Sequence, residues 1–145
     1  MPRILALLIA LPAAAALAQS LPVTELRAGM HLIHAEVAAD FSTRARGLMH
    51  RKGLAPNAGM LFIFDAPSEQ CMWMKNTYIP LDMVFIDGDG RIQQIVEQTT
   101  PHSLAIISSR EPALAVLEIG GGEAKRLGLH PGQRVLHAAL VGYHP

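Results

Sequence analysis

The residues best suited to chemistry in this chain lie in one ten-residue stretch, Trp73-Met74-Lys75-Asn76-Thr77-Tyr78-Ile79-Pro80-Leu81-Asp82, which gathers an indole, a cation, an amide, a hydroxyl and a carboxylate. It holds the only Trp of the protein, and the only Cys, Cys71, lies two residues before it. Half of the chain is hydrophobic and 17% is charged, so polar groups packed this densely point to a task beyond solvation. An indole on a loop can stack on the apolar face of a sugar or other ring while Lys75, Asn76 and Asp82 fix its polar edge, which is the usual composition of a small-ligand pocket. In such a site Trp73 stacks, Asn76 and Lys75 donate hydrogen bonds and Asp82 accepts them. A structural reading uses the same residues: Trp73 plugs a core, Asn76 and Thr77 bond the backbone of a tight loop, and Asp82 pairs with Lys75 or Arg46.

Arg46 and Glu118 stand out for a different reason, since each is set within an apolar motif. A charge beside core residues is costly unless it is paired, so the expectation is an internal ion pair or a pocket wall. In a ligand site Glu118 accepts hydrogen bonds and Arg46 orients an acidic group. If Arg46, Asp82 and Glu118 converge on one cleft, the two carboxyl groups could act as general acid and base on a glycosidic or related bond.

Methionine and histidine supply a third constellation. Met49-His50, Met60, Met72, Met74 and Met83 could hold copper through thioether and imidazole ligands. Against that reading, Met49, Met60 and Met83 fall in the apolar phase of a helix or strand, where Met fills core space. The histidines lack zinc-like spacing, and His31 and His34, three apart in a strand, point to opposite faces. No metal or cofactor is expected. Cys71 has no identifiable activating partner, and a single Cys forms no internal disulfide. Asp87-Gly88-Asp89-Gly90 is turn chemistry, without the further oxygen ligands of a calcium loop.

The elements that must position these groups begin after a leader. Residues 1–18 combine Arg3, an apolar run and Ala16-Leu17-Ala18 in the small-x-small pattern of a cleaved secretory signal. The run is about 15 residues long and contains Pro12, short of the roughly 20 that span a bilayer. The mature protein is therefore expected to be periplasmic or secreted. It comprises a short extension over 19–29 and a single globular domain over 30–145. Twelve basic residues balance twelve acidic ones with no basic stripe, so neither nucleic acid nor anionic membrane is an expected partner.

Along that domain, 31–38 reads as a strand and 41–49 as a short amphipathic helix capped by Asp40 or Ser42. Met60-Leu61-Phe62-Ile63-Phe64 is a strand buried on both faces. The runs 83–86 and 91–96, joined by the Gly/Asp turn, form a β-hairpin. Residues 99–112 are a long connection, 113–119 a strand, 123–127 a short helix ended by Gly128, and 134–141 a last strand. About five or six short strands with two short helices make an α+β, mostly β domain, a compact and partly closed β-barrel.

Four motifs carry a family resemblance: Arg44-Ala45-Arg46-Gly47-Leu48-Met49; Gly59-Met60-Leu61-Phe62-Ile63-Phe64; Trp73-Met74-Lys75-Asn76-Thr77 with Ile79-Pro80-Leu81-Asp82; and Val116-Leu117-Glu118-Ile119 with Gly121-Gly122. In order and spacing the chain resembles the domain of unknown function 192 family over roughly residues 30–140. The resemblance implies a small single-domain bacterial or archaeal protein, often exported, with a compact fold dominated by β-strands and no established activity. Cys71 departs from the family pattern and takes no role from it. The combined expectation is an exported module that binds a small polar ligand, such as a carbohydrate or cell-envelope fragment, in a cleft lined by Arg46, Trp73, Lys75, Asn76, Asp82 and Glu118. A hydrolase using Asp82 and Glu118 is the first alternative and a periplasmic copper-binding accessory protein the second.

Overall fold

A computed structural model describes residues 20–140. The expected signal over 1–18 and the end of the last expected strand lie outside the described residues. Seven strands form one sheet: β1 (Val23–Ala28), β2 (His31–Ala38), β3 (Ala58–Ser68), β5 (Leu81–Ile86), β6 (Ile92–Val96), β8 (Ala113–Gly120) and β9 (Val135–Leu136). Two-residue strands β4 (Cys71–Met72) and β7 (Ile107–Ser108) pair separately. The helices are α1 (Phe41–Arg46) and α2 (Glu123–Arg126), followed by a 3-10 turn at Ala138–Leu140.

The strand order is β6-β5-β8-β3-β2-β1-β9. Only β2 and β3 run parallel, which α1 makes possible by carrying the chain across between them. The sheet curls far enough for its ends to touch. The amides of Ile92 and Val135 donate to the carbonyls of Gln133 and Gly90 at 2.9 and 2.8 Å, and Arg91 bridges Arg134. The protein is thus an α+β, mostly β domain with a curled, partly closed sheet.

Alternation along the strands divides the core in two. Leu26, Ile33, Leu61, Val84, Ile92, Leu117 and Val135, one from each strand of the sheet, share the inner face with Ala124 and Leu127 of α2. Met60, Phe62, Leu81, Met83, Phe85 and Val116 point to the other face, where Leu48 and Met74 cover them. β5 and β8 are interior strands buried on both faces, so neither shows a polar phase in sequence.

Several elements differ from the sequence expectation. Residues 23–28, read as part of an extension, pair with β2 along their whole length, from Val23 opposite Glu36 to Ala28 opposite His31. α1 stops at Arg46 because Gly47 takes φ 49°, and a capping box between Asp40 and Thr43 starts it. The connection over 99–112 contains β7, which pairs with β4 and straps the segment before Trp73 to the body. The last expected strand shortens to two residues and turns into the 3-10 segment.

Candidate functional site

The outer face of the sheet carries a cleft of about 390 Å³, within the size range of ligand pockets. Its floor is set by strand alternation: Phe62 and Phe64 from β3 lie on the same face as Glu118 from β8, whose strand neighbours are Met60 and Met83. One wall is α1 and the turn after it, with Phe41, Arg44, Arg46, Leu48 and Met49. Gly47 lets this wall approach the floor, because a Cβ there would stand 3.1 Å from the Phe62 ring. The opposite wall is the tryptophan segment with Cys71, Met72, Trp73, Lys75 and Thr77.

Alternate residues of that segment anchor it or project from it. Met74 is fully buried and Thr77 nearly so, while Trp73 keeps 43% of its surface exposed and Lys75 is exposed beside it, with Nζ 5.1 Å from the indole centre. Trp73 therefore walls the cleft and does not plug the barrel. The loop is held by its neighbours: Met74 N–H donates to Ser103 O at 3.0 Å, His50 N–H to Asn76 O at 2.9 Å, and His102 N–H to Thr77 O at 3.1 Å. His50, Asn76 and His102 all have positive φ, at 65°, 52° and 63°. Asn and His accept this conformation more readily than most residues, and the hydrogen bonds between these segments hold the loop in it. Tyr78 joins the same surface, its hydroxyl 2.8 Å from His50 Nδ1 and its ring 5.2 Å from that of His102.

Four of the six residues singled out in sequence, Arg46, Trp73, Lys75 and Glu118, line the cleft. Asn76 does not: it is exposed, its side chain turned toward Met49 Sδ at 4.0 Å, and its left-handed backbone makes it a turn residue. Asp82 lies on the opposite face of the sheet. It stands opposite Ile119 while Glu118 stands opposite Met83, and neighbouring residues of a strand point to opposite sides. Asp82 is fully buried and accepts from Gln98 N–H at 2.8 Å and Ala124 N–H at 2.9 Å. Gly122 at the start of α2 has no side chain to cap it, so Asp82 supplies the cap from β5. The Asp82/Glu118 acid-base pair is therefore not formed, and neither is an Asp82 pairing with Lys75 or Arg46.

Among the described residues no carboxylate lies within ion-pair reach of Arg46 or Lys75. The internal pair expected for Arg46 and Glu118 is absent there, and both serve as pocket wall. Glu118 is 4% exposed, and burial with no compensating partner pushes its carboxyl from 4.5 up to about 8. At neutral pH it is chiefly a protonated acid, able to donate one hydrogen bond and accept others. Met60, Met74 and Met83 are buried core residues, which removes them from the copper constellation.

Sequence reasoning passed over Arg44, Phe41, Phe62 and Phe64. Arg44 lies over the Phe64 ring at 5.2 Å and donates to Ile63 O at 2.8 Å, so it braces α1 against β3 while bringing a charge to the cleft. The signal was available in part, since Phe62 and Phe64 share the phase of Met60, but nothing local placed that phase beside Glu118.

The fold recurs in solved structures. A protein of Sinorhizobium meliloti 1021, described as a candidate transcription regulator, is 47% identical, with a TM-score of 0.81 over 83% of this chain and 98% of its own. A protein of unknown function from Novosphingobium aromaticivorans DSM 12444 is 34% identical, with a TM-score of 0.78 over 89% of this chain and 91% of its own. No curated protein matches the chain. With its strands, both helices and the cleft inside the matched residues 23–137, the chain belongs to the DUF192 family, domain of unknown function 192, described as uncharacterized ACR.

Proposed function

We propose that the protein is an exported binding module that takes a small ring-bearing polar ligand, such as a carbohydrate or cell-envelope fragment, into the cleft between α1 and the Trp73 loop. The observation that carries this reading is Glu118, a buried carboxyl with no protein partner at the floor of an aromatic pocket. Its carboxyl lines the cleft without a hydrogen bond to the protein, so a ligand hydroxyl or amide entering there finds a free partner. Trp73 and Phe64 provide faces for the ring, and the half-exposed indole is reachable from solvent. Export rests on the leader-like residues 1–18. The balanced charge favours a small molecule over DNA as the partner, so the regulator description of the Sinorhizobium protein is not carried over.

The test is a titration of the mature protein with monosaccharides and peptidoglycan fragments, followed by the fluorescence of Trp73, the only Trp in the chain. Trp73→Ala is expected to weaken binding, read by calorimetry, at least tenfold while its far-ultraviolet dichroism stays that of the parent. Unchanged affinity in this variant refutes the reading.

A further inference from the structure

The charges around the cleft are one-sided. Arg44, Arg46 and Lys75 line it, and Glu118 is the sole acidic residue among its walls. Arg44 donates through Nη1 to the backbone at Ala39 O and Ile63 O and keeps its charge beside Phe64. Arg46 is exposed, and neither it nor Lys75 has an ion-pair partner among the described residues, whereas Arg51, which lines a neighbouring hollow together with Arg46, is neutralised by Glu36 at 2.8 Å. The one acid present is buried on the floor, away from the exposed cations at the rim. In a chain with as many acidic as basic residues, three cations facing one apolar cavity set a local positive field.

We propose that the cleft selects a ring-bearing organic anion, its carboxylate held at the rim by Arg46 and Lys75, its ring against Trp73 and Phe64, and a hydrogen-bonding group at its far end meeting Glu118. The assignment rests on the binding-module reading and narrows its ligand class. Burial keeps Glu118 protonated and neutral at pH 7, so the floor does not repel an anion, and the carboxyl remains free to donate. Arginine suits the rim role because its planar fork meets a carboxylate in two parallel hydrogen bonds. A ring carboxylate occurs in acidic sugars and in aromatic acids, and the walls, with Phe62, Leu48 and Met72, fit the aromatic ring better.

The experiment uses two matched pairs, glucuronate against glucose and 3-phenylpropionate against 3-phenylpropanol, titrated at pH 7 into the parent and into an Arg46→Gln/Lys75→Gln double variant, with Trp73 fluorescence and calorimetry as readouts. In whichever pair binds, the acid is expected to bind about tenfold more tightly than its neutral twin, and the advantage to vanish in the double variant and shrink with added salt. The pair that binds names the ring. A neutral twin that binds as well as its acid, or an advantage that survives in the double variant, overturns the anion assignment and leaves the binding module standing. If no probe binds, the cleft is not a site for ring-bearing ligands, and both readings fall.

Discussion

Replacing Glu118 with Gln should change how the stability of this protein depends on pH. Glu118 sits between Met60 and Met83 with 4% of its surface exposed, and desolvation raises its carboxyl from 4.5 to about 8. The native state therefore holds a proton that the unfolded chain releases once the pH passes 4.5. Across the window from 4.5 to 8 the native state binds more protons than the unfolded one, so stability falls as the pH rises and levels off above 8. A shift of this size corresponds to a loss of about 5 kcal/mol across the window, comparable with the whole stability of a small domain. Glu118→Gln keeps the shape and the hydrogen-bonding capacity but cannot ionise. It should match the parent within about 1 kcal/mol near pH 4.5 and exceed it by several kcal/mol at pH 8.5. Urea unfolding followed by far-ultraviolet dichroism at intervals from pH 4.5 to 9 gives both curves, and their difference isolates Glu118 from other titrating groups such as Glu123 and His137. Equal pH slopes in the two proteins would show that Glu118 is not held neutral by burial, and the reasoning about the cleft floor would go with it.

Asp82→Ala should destabilise the protein by about 2–3 kcal/mol in chemical denaturation, because it leaves the buried amide of Ala124 and the part-buried amide of Gln98 without an acceptor. The same variant should leave binding in the cleft unchanged under conditions where it is folded, and a selective loss of binding would return Asp82 to the site. Gly59→Ala places a Cβ 2.3 Å from the backbone oxygen of Glu118 and 2.9 Å from Ile119 Cγ2, so β3 and β8 must separate. A loss of about 3 kcal/mol is expected, read as a drop in thermal midpoint, and an unchanged midpoint would contradict the close approach of these two strands.

Local pattern alone determined much of the scaffold. The strand at 31–38, the apolar run at 60–64, the hairpin around Asp87-Gly88-Asp89-Gly90 and the strand at 113–119 are all present. Each is specified by residues adjacent in sequence, whether β-branched runs, a turn with Gly or a helix cap. β1 was legible only as part of a short N-terminal extension, and β4 and β7 not at all, since two-residue strands exist only because a distant partner supplies their hydrogen bonds. For the site, residue type was enough to raise Arg46, Trp73, Lys75 and Glu118, a Trp and unexplained charges in apolar surroundings. Tertiary structure alone decided which of the candidates meet. Asp82 and Glu118 looked equivalent in sequence, yet the β5–β8 register sets them one residue out of step. Because side chains alternate with a period of two, that single step sends one carboxylate to the inner face to cap α2 and leaves the other at the floor of the cleft.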